Sequence, residues 1–207
     1  MTATKESDVA LLKAWRSGHK AAGDELFVRH FSTIDRFFAN KASPSDVHDL
    51  IQRTFTICVE RLNAFEGRSS FRTFLLGISR NVLRNYYRDK AKRQHRELDD
   101  LAVADLDPSP SSLAAARQEQ RLLLAALRCV PLDAQIILEL YFWEDLSGAE
   151  IAEVLGVPEN TARTRLRRAR LRVGEALQRL SDTPALLDST RDNLDSWARS
   201  LRSAPGA

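Results

Sequence analysis

No run in this 207-residue chain approaches the roughly 20 consecutive apolar residues of a membrane-spanning helix, so membrane insertion is not expected. Cysteine is scarce. Cys58 and Cys129 each lie inside an apolar helical run, neither has a partner at metal-ligand spacing, and the four histidines are scattered. Both cysteines therefore read as buried, reduced thiols, and no metal site is expected. Glycine and proline are few, at 8 and 7, and are rare outside short stretches, which suits a soluble helical protein. No glycine-rich phosphate loop and no nucleophile–base pair is present, so neither an enzyme nor a cofactor is expected. The opening MTATKESDV is polar and lacks the apolar core of a secretion signal, which predicts a cytoplasmic chain.

What is abundant is charge, and it is unevenly placed. Lys and Arg total 31 against 28 Asp and Glu, for a net charge of only +3. Basic clusters at 84–96 and 163–172 are separated by an acidic segment, a pattern that suggests nucleic acid at the basic pieces.

The densest information lies between Ser147 and Arg172. Ile151, Ala152 and Leu155 follow helical spacing behind Ser147 and Glu150, which stand at capping-box spacing. Gly156, Val157 and Pro158 break the helix, and a second helix opens near Glu159 with Ala162, Leu166 and Ala169 inward. Helix, tight glycine turn and helix make a helix-turn-helix, whose second helix enters the DNA major groove. Arg163, Arg165, Arg167, Arg168, Arg170 and Arg172 crowd its polar face, with Thr161 and Thr164 near its start. Arginine suits guanine edges and phosphates, and short hydroxyls suit base or backbone contacts.

Along the rest of the chain, residues 7–40 predict two helices separated at Gly18 and His19, the first capped by Ser7 or Asp8. A third helix is predicted after Pro44 with Ser45 or Asp46 as its cap. Val47, Leu50, Ile51, Thr54, Cys58 and Leu62 form its apolar side. Asp46, Asp49, Arg53, Thr56 and Glu60 form the opposite stripe, which periodicity alone leaves open as solvent-facing or docking surface. After a loop at 63–70, residues 71–93 combine an apolar side with Arg72, Arg80, Arg84, Arg88, Lys90, Lys92 and Arg93, and set Tyr86 and Tyr87 among them. Rings beside cations suit unpaired bases and their backbone; the alternative is that the tyrosines pack in the core. Residues 98–116 hold four Asp and no Lys or Arg and include a Pro-Ser-rich linker signature at 108–112. Asp133 is expected to cap a helix whose Ile136, Ile137, Leu140 and Tyr141 pack on the helix-turn-helix. Beyond Pro184, Leu187, Thr190, Leu194, Trp197 and Leu201 repeat as one more amphipathic helix.

These residues predict an all-α chain. The expected division is a helical domain at 1–97, an acidic linker at 98–112, a helix-turn-helix domain at 113–180 and a C-terminal extension at 181–207. The motifs DVHDLIQRTF (46–55), FRTFLLGISRNVLRNYYR (71–88) and LSGAEIAEVLGVPENTARTRLRRAR (146–170), in this order, resemble the extracytoplasmic-function group of bacterial RNA polymerase sigma factors. The resemblance covers about residues 7–180. It implies that Asp46, Asp49, Gln52 and Phe55 grip the clamp helices of the polymerase β′ subunit. It also implies that Asn63, Arg68, Ser69, Arg80, Asn81, Arg84, Asn85, Tyr86, Tyr87 and Arg88 read and melt the −10 promoter element. Thr161, Arg163, Thr164, Arg165 and Arg168 would face the −35 element, and the domain carrying them would hold the β-flap tip. Core polymerase and promoter DNA are the implied partners, and anti-sigma factors are common partners in that family. Three positions depart from the family's habit: Arg53 stands for an acidic residue, Phe74 for Trp and Ala162 for Val. A free-standing helix-turn-helix regulator is the alternative reading, although it needs neither the basic-aromatic helix nor the linker.

Overall fold

The structure is a computed structural model and describes residues 7–94, 103, 118–181, 184 and 186–188. The acidic linker, apart from Val103, and most of the extension beyond Pro184 lie outside the described residues. Among the described residues all regular structure is helical: α1 (Asp8–Arg16), α2 (Lys20–Ala39), α3 (Pro44–Arg61), a 3-10 turn (Leu62–Ala64), α4 (Phe71–Gln94), α5 (Gln118–Arg128), α6 (Leu132–Phe142), α7 (Gly148–Leu155) and α8 (Glu159–Leu180).

Local chemistry sets most of these boundaries. Ser7 caps α1, its hydroxyl accepting from the Ala10 amide at 3.2 Å. Gly18, at φ 96°, makes the turn into α2. The third helix starts earlier than expected. Pro44 occupies its first turn, where a missing N–H costs nothing, and Ser43 rather than Ser45 or Asp46 is the cap position. Asp46 is left to accept from Ser43 Oγ at 2.7 Å and from the Tyr86 hydroxyl at 2.6 Å, tying α3 to α4. The Tyr86 and Ser43 hydrogen bonds hold the Asp46 carboxyl below its ordinary range.

The helix-turn-helix follows its sequence signals closely. Ser147 Oγ accepts from the Glu150 amide and the Glu150 carboxylate accepts from the Ser147 amide at 2.8 Å, completing the capping box. That backbone bond from Ser147 also lowers the Glu150 pKa. Gly156 ends α7 in the left-handed region at φ 65°. Its amide bonds Glu153 O, and the Val157 amide bonds Ala152 O at 3.0 Å, the double bond of a Schellman turn.

The helices α1–α4 enclose Leu26, Ile34, Phe38, Leu75, Leu76 and Leu83, and α5–α8 enclose Ala126, Ile136, Ile137, Leu140, Ala169 and Val173. The buried apolar residues of both halves belong to one continuous cluster, because α7 packs along α4. Three expectations are corrected. Tyr141 is exposed on the outer side of α6 instead of building the core. Cys129 lies past the end of α5 and is exposed, while only Cys58 is buried, its thiol pushed by burial up to about 12. Pro131, not Asp133, is the cap position of α6, and Asp133 sits inside the first turn with its side chain turned toward α4.

Two outcomes follow from these local geometries. Gly156→Ala should destabilise the chain by roughly 1–2 kcal/mol, the cost of a left-handed side-chain-bearing residue. By contrast, Gly174→Ala, in mid-α8 with no atom within 4 Å of the added Cβ, should stabilise it by up to about 1 kcal/mol; thermal melts read both. Because the Asp46 pKa is lowered in the folded chain, its bond contributes stability above the unfolded carboxyl's pKa, and that stability is lost as pH falls through the lowered value. Tyr86→Phe should therefore raise the Asp46 pKa toward the ordinary carboxylate value in a carboxyl-carbon NMR titration, and should narrow the gap in melting temperature between neutral and acidic buffer.

Candidate nucleic-acid interface

The first basic surface is α8. Ala162, Ala169, Val173, Ala176 and Leu177 face the core, with Leu166 half-buried beside them. That spacing turns Arg163, Thr164, Arg165, Arg167, Arg168 and Arg172 outward, while Thr161 is half-buried at the start of the helix. Small alanines at the contact let α8 lie close to α7, which positions the arginine face relative to the turn. Two of the arginines are engaged within the protein. Arg163 donates to Glu159 at 2.6 Å, and Arg170 lies over the Tyr141 ring at 4.6 Å from its centroid. The Thr164 hydroxyl donates back to Asn160 O at 2.9 Å. Arg165 and Arg168 extend from the exposed face between these two contacts.

The second basic surface is α4 with the loop before it. Asn63 and Arg68 are exposed on that loop, Arg68 paired with Glu66 at 2.8 Å, and Ser69 is half-buried. Phe65 stacks on Phe74 at 4.5 Å between centroids and packs near Phe71, which fixes the loop against the start of α4. Asn81, Asn85 and Arg88 are exposed along α4. The tyrosines divide. Tyr86 is half-buried, bonded to Asp46, and covered by Lys90 Nζ at 4.4 Å from its ring centroid. Tyr87 is fully buried, its hydroxyl donating to Lys41 O, so its ring is a core element here and offers no face to a base. Adjacent residues on a helix point about 100° apart, and the sequence offered no means of telling which of the two faced inward.

Arg80 and Arg84 do not point to solvent. Arg84 donates to Asp133 of α6, and Arg80 lies 3.7 Å from the same carboxylate. Burial pulls the Arg80 pKa down. An open cleft of about 290 Å³ runs beside them, with Ser69, Phe74 and Asn81 on one wall and Glu153, Leu155 and Gly156 on the other.

On α3, Asp49 and Gln52 are exposed, Asp46 is committed to Ser43 and Tyr86, and Phe55 is half-buried with its ring 4.4 Å from Phe27. Arg53 shares the exposed side of this helix with Asp49 and Gln52.

Several residues that shape these surfaces were missed in the sequence. Lys41 is fully buried and donates to Glu139, which also accepts from Gln135 Nε2 at 2.9 Å. Burial lowers the Lys41 pKa and raises that of Glu139. Glu144 accepts from Arg36 at 3.1 Å and from Arg72. One signal was available. Glu139 interrupts the otherwise apolar run IILELYF, and a carboxylate in such a run needs a buried partner.

Comparison with known proteins gives this arrangement a family. The family described as Sigma-70 region 2 matches residues 25–93, and that described as Sigma-70, region 4 matches residues 120–173. The ECF RNA polymerase sigma-E factor of Haemophilus influenzae is 27% identical over 185 residues, covering 84% of this chain and 97% of that protein. The probable RNA polymerase sigma factor RfaY of Xanthomonas campestris pv. campestris is 34% identical over 142 residues, 65% of this chain and 35% of its own length. Among solved structures, the sigma factor RpoE in complex with the anti-sigma factor NepR from Bartonella quintana shares the fold. Its TM-score is 0.58 at 19% identity, over 75% of this chain and 96% of that one. CnrH in complex with the cytosolic domain of CnrY aligns with a TM-score of 0.53 at 24% identity, over 85% and 100%. With both sigma-70 regions matched in order on an all-helical fold, the chain belongs to the extracytoplasmic-function group of the sigma-70 family of RNA polymerase sigma factors, which are promoter-directing transcription initiation factors.

Proposed function

We propose that the two basic surfaces divide promoter recognition between them and that α3 carries the chain to the polymerase. The observation that supports this most strongly is their separation: one arginine-lined helix sits in a helix-turn-helix, and a second basic helix, fronted by an aromatic-pinned loop, sits in the other half of the chain. In this reading α8 enters the −35 major groove with Arg165 and Arg168 toward base edges or phosphates and Thr161, Arg163 and Thr164 around them. Asn63, Arg68 and Ser69 with Asn81, Asn85 and Arg88 take the melted −10 strand, and Arg80 and Arg84 join them once released from Asp133. Tyr86 borders this surface, and Tyr87 supports it from the core. Asp49 and Gln52, with Phe55 beneath, form the polymerase-docking stripe.

The mechanism needs no covalent chemistry and no cofactor. Capturing unpaired bases offsets part of the cost of opening the duplex. Tethering the two readers makes the second contact intramolecular, so two modest sites give useful joint affinity. The chain works in the cytoplasm, where its polymerase and promoter are. Among the described residues no helix is long and apolar enough to cross a membrane. Both structural neighbours are held by other proteins, RpoE by the anti-sigma factor NepR and CnrH by the cytosolic domain of CnrY. An inhibitor of the anti-sigma kind is accordingly proposed as a partner of this chain as well.

Run-off transcription with purified core polymerase on genomic fragments, including the chain's own upstream region, tests the reading. New discrete start sites that require the protein are expected; tight duplex binding without polymerase and without new starts would point to a free-standing regulator. Once a start site fixes the −35 element, Arg165→Ala and Arg168→Ala should each weaken binding to it. The loss should be about tenfold or more where the side chain reads a base, whereas a phosphate contact should show as a salt slope reduced by about one. Fluorescence anisotropy at several salt concentrations separates the two. Asp49→Lys should weaken capture by core polymerase in a competition assay while leaving the thermal melt within about 0.5 kcal/mol of the parent, as expected of an exposed position.

A further inference from the structure

Arg16 has no place in either basic surface, yet it reaches the loop that fronts the second one. It is the last residue of α1, and its Nη2 donates to Leu62 O at 2.8 Å and to Phe65 O. Its guanidinium carbon also lies 5.9 Å from the Phe65 ring centroid. The two carbonyls bracket Asn63 and Ala64, so one side chain, 46 and 49 positions earlier, holds the 3-10 turn at both ends. A helix end leaves its last carbonyls short of partners, and here Arg16 supplies one.

The pin is itself firmly mounted. Trp15, beside Arg16, packs so closely on Gly23 of α2 that a Cβ there would lie 2.6 Å from the indole. At the other end of α1, Asp8 accepts from Arg29 at 2.7 Å and bonds His30 at 2.7 Å. The far side of the loop is fixed by Phe65 on Phe74 and by Ser70, whose Oγ accepts from the Thr73 amide at 3.0 Å. Between these anchors, residues 66–69 make no backbone–backbone hydrogen bond among the described residues, and Gly67 turns the tip at φ 73°. The direction in which Asn63, Arg68 and Ser69 point is therefore set at the base of the loop.

We propose that Arg16 is a positioning residue for −10 selectivity, holding Leu62 O and Phe65 O so that Asn63 and the loop tip meet an unpaired base in one fixed pose. The proposal rests on the reading of this loop as part of the −10 surface. Hydrogen bonds weaken steeply away from their preferred length and angle, so a loosened base blunts the choice between bases without abolishing contact. Arg16 is exposed, and polar contacts at exposed positions add little to stability, so its loss shows in selectivity and not in the fold. One planar guanidinium serves two carbonyls and a ring, which a compact ammonium does less well.

Arg16→Met and Arg16→Lys test this in the full chain, with Lys13→Met as a matched loss of charge from an exposed position of α1. Run-off transcription with core polymerase is read on the mapped promoter and on versions carrying each single substitution in the −10 element. Hydrogen exchange of the 62–65 amides, capture by core polymerase and the thermal melt are read in parallel. Arg16→Met should cut the preference for the matched element by about tenfold, the scale of discrimination at one base pair, and should speed exchange at 62–65. Capture and melting should stay as in the parent. Arg16→Lys should keep part of the preference and Lys13→Met all of it. The assignment is overturned if Arg16→Met keeps the parent's preference, loses output equally on every template, or shares its loss with Lys13→Met. Faster exchange with the preference intact leaves Arg16 as a pin of the fold and ends its role in selectivity. Asn63→Ala separates this from the underlying reading. Preference lost in Asn63→Ala but kept in Arg16→Met retains the reading of the loop and removes the role of Arg16. Preference intact in Asn63→Ala and Arg16→Met alike removes both.

Discussion

One buried ion pair conditions the whole arrangement. Lys41, at the end of α2, is fully enclosed, and its ammonium reaches Glu139 on α6 while also lying 4.4 Å from the Phe37 ring centroid. Taking two charges out of water is costly, and their attraction offsets that cost only when geometry is good and the remaining bonding capacity is filled. Part of it is filled here: Gln135 donates to Glu139, and the carbonyl of Asn40, next to Lys41, accepts from both Gln135 and Arg128 at 3.4 Å, while Gln135 Oε1 is buried without a partner. The end of α2, with its partial negative charge, is thereby closed off by side chains of the other half. Separating the halves breaks this pair and returns both charges to water.

From this centre the contact grades outward into pairs that water can reach. Glu144 bridges Arg36 and Arg72, and Asp133 holds Arg84 near the rim. The gradation matters for function. Arg84, proposed above for the melted strand, lies toward the rim of this contact, whereas Arg80 is only 12% exposed. The arginines of α8 are exposed, although Arg165 is near enough to Arg80 to help lower its pKa.

The helices and the helix-turn-helix were legible because their signals are local. A serine cap with Glu150 three residues on, a glycine able to take φ 65°, and apolar residues at helical spacing each act within a turn or two of chain. The outward arginines of α8 followed from the same period. What was not legible depends on contacts between distant residues. Asp133 reads as a cap in sequence, but the helix starts one residue before it, and Arg84, 49 positions earlier, takes its side chain. Tyr86 and Tyr87 look alike in sequence, and only the packing of α4 on α2 and α3 sends one to Asp46 and the other into the core. Tyr141 reads as core from its apolar neighbours, yet Arg170 covers its ring from outside. Asp99, Asp100, Asp105 and Asp107 of the acidic segment lie outside the described residues. The carboxylates seen against the basic helix belong to α6 and the turn after it instead.

The most direct test of this account is a double-mutant cycle on the central pair, read by chemical denaturation of the full chain. Lys41→Met and Glu139→Leu should each destabilise strongly, by about 3–5 kcal/mol, because each leaves a buried charge without its partner; the double variant, with neither charge, should recover most of that loss. Two small, additive effects would contradict the claim that this pair holds the halves together.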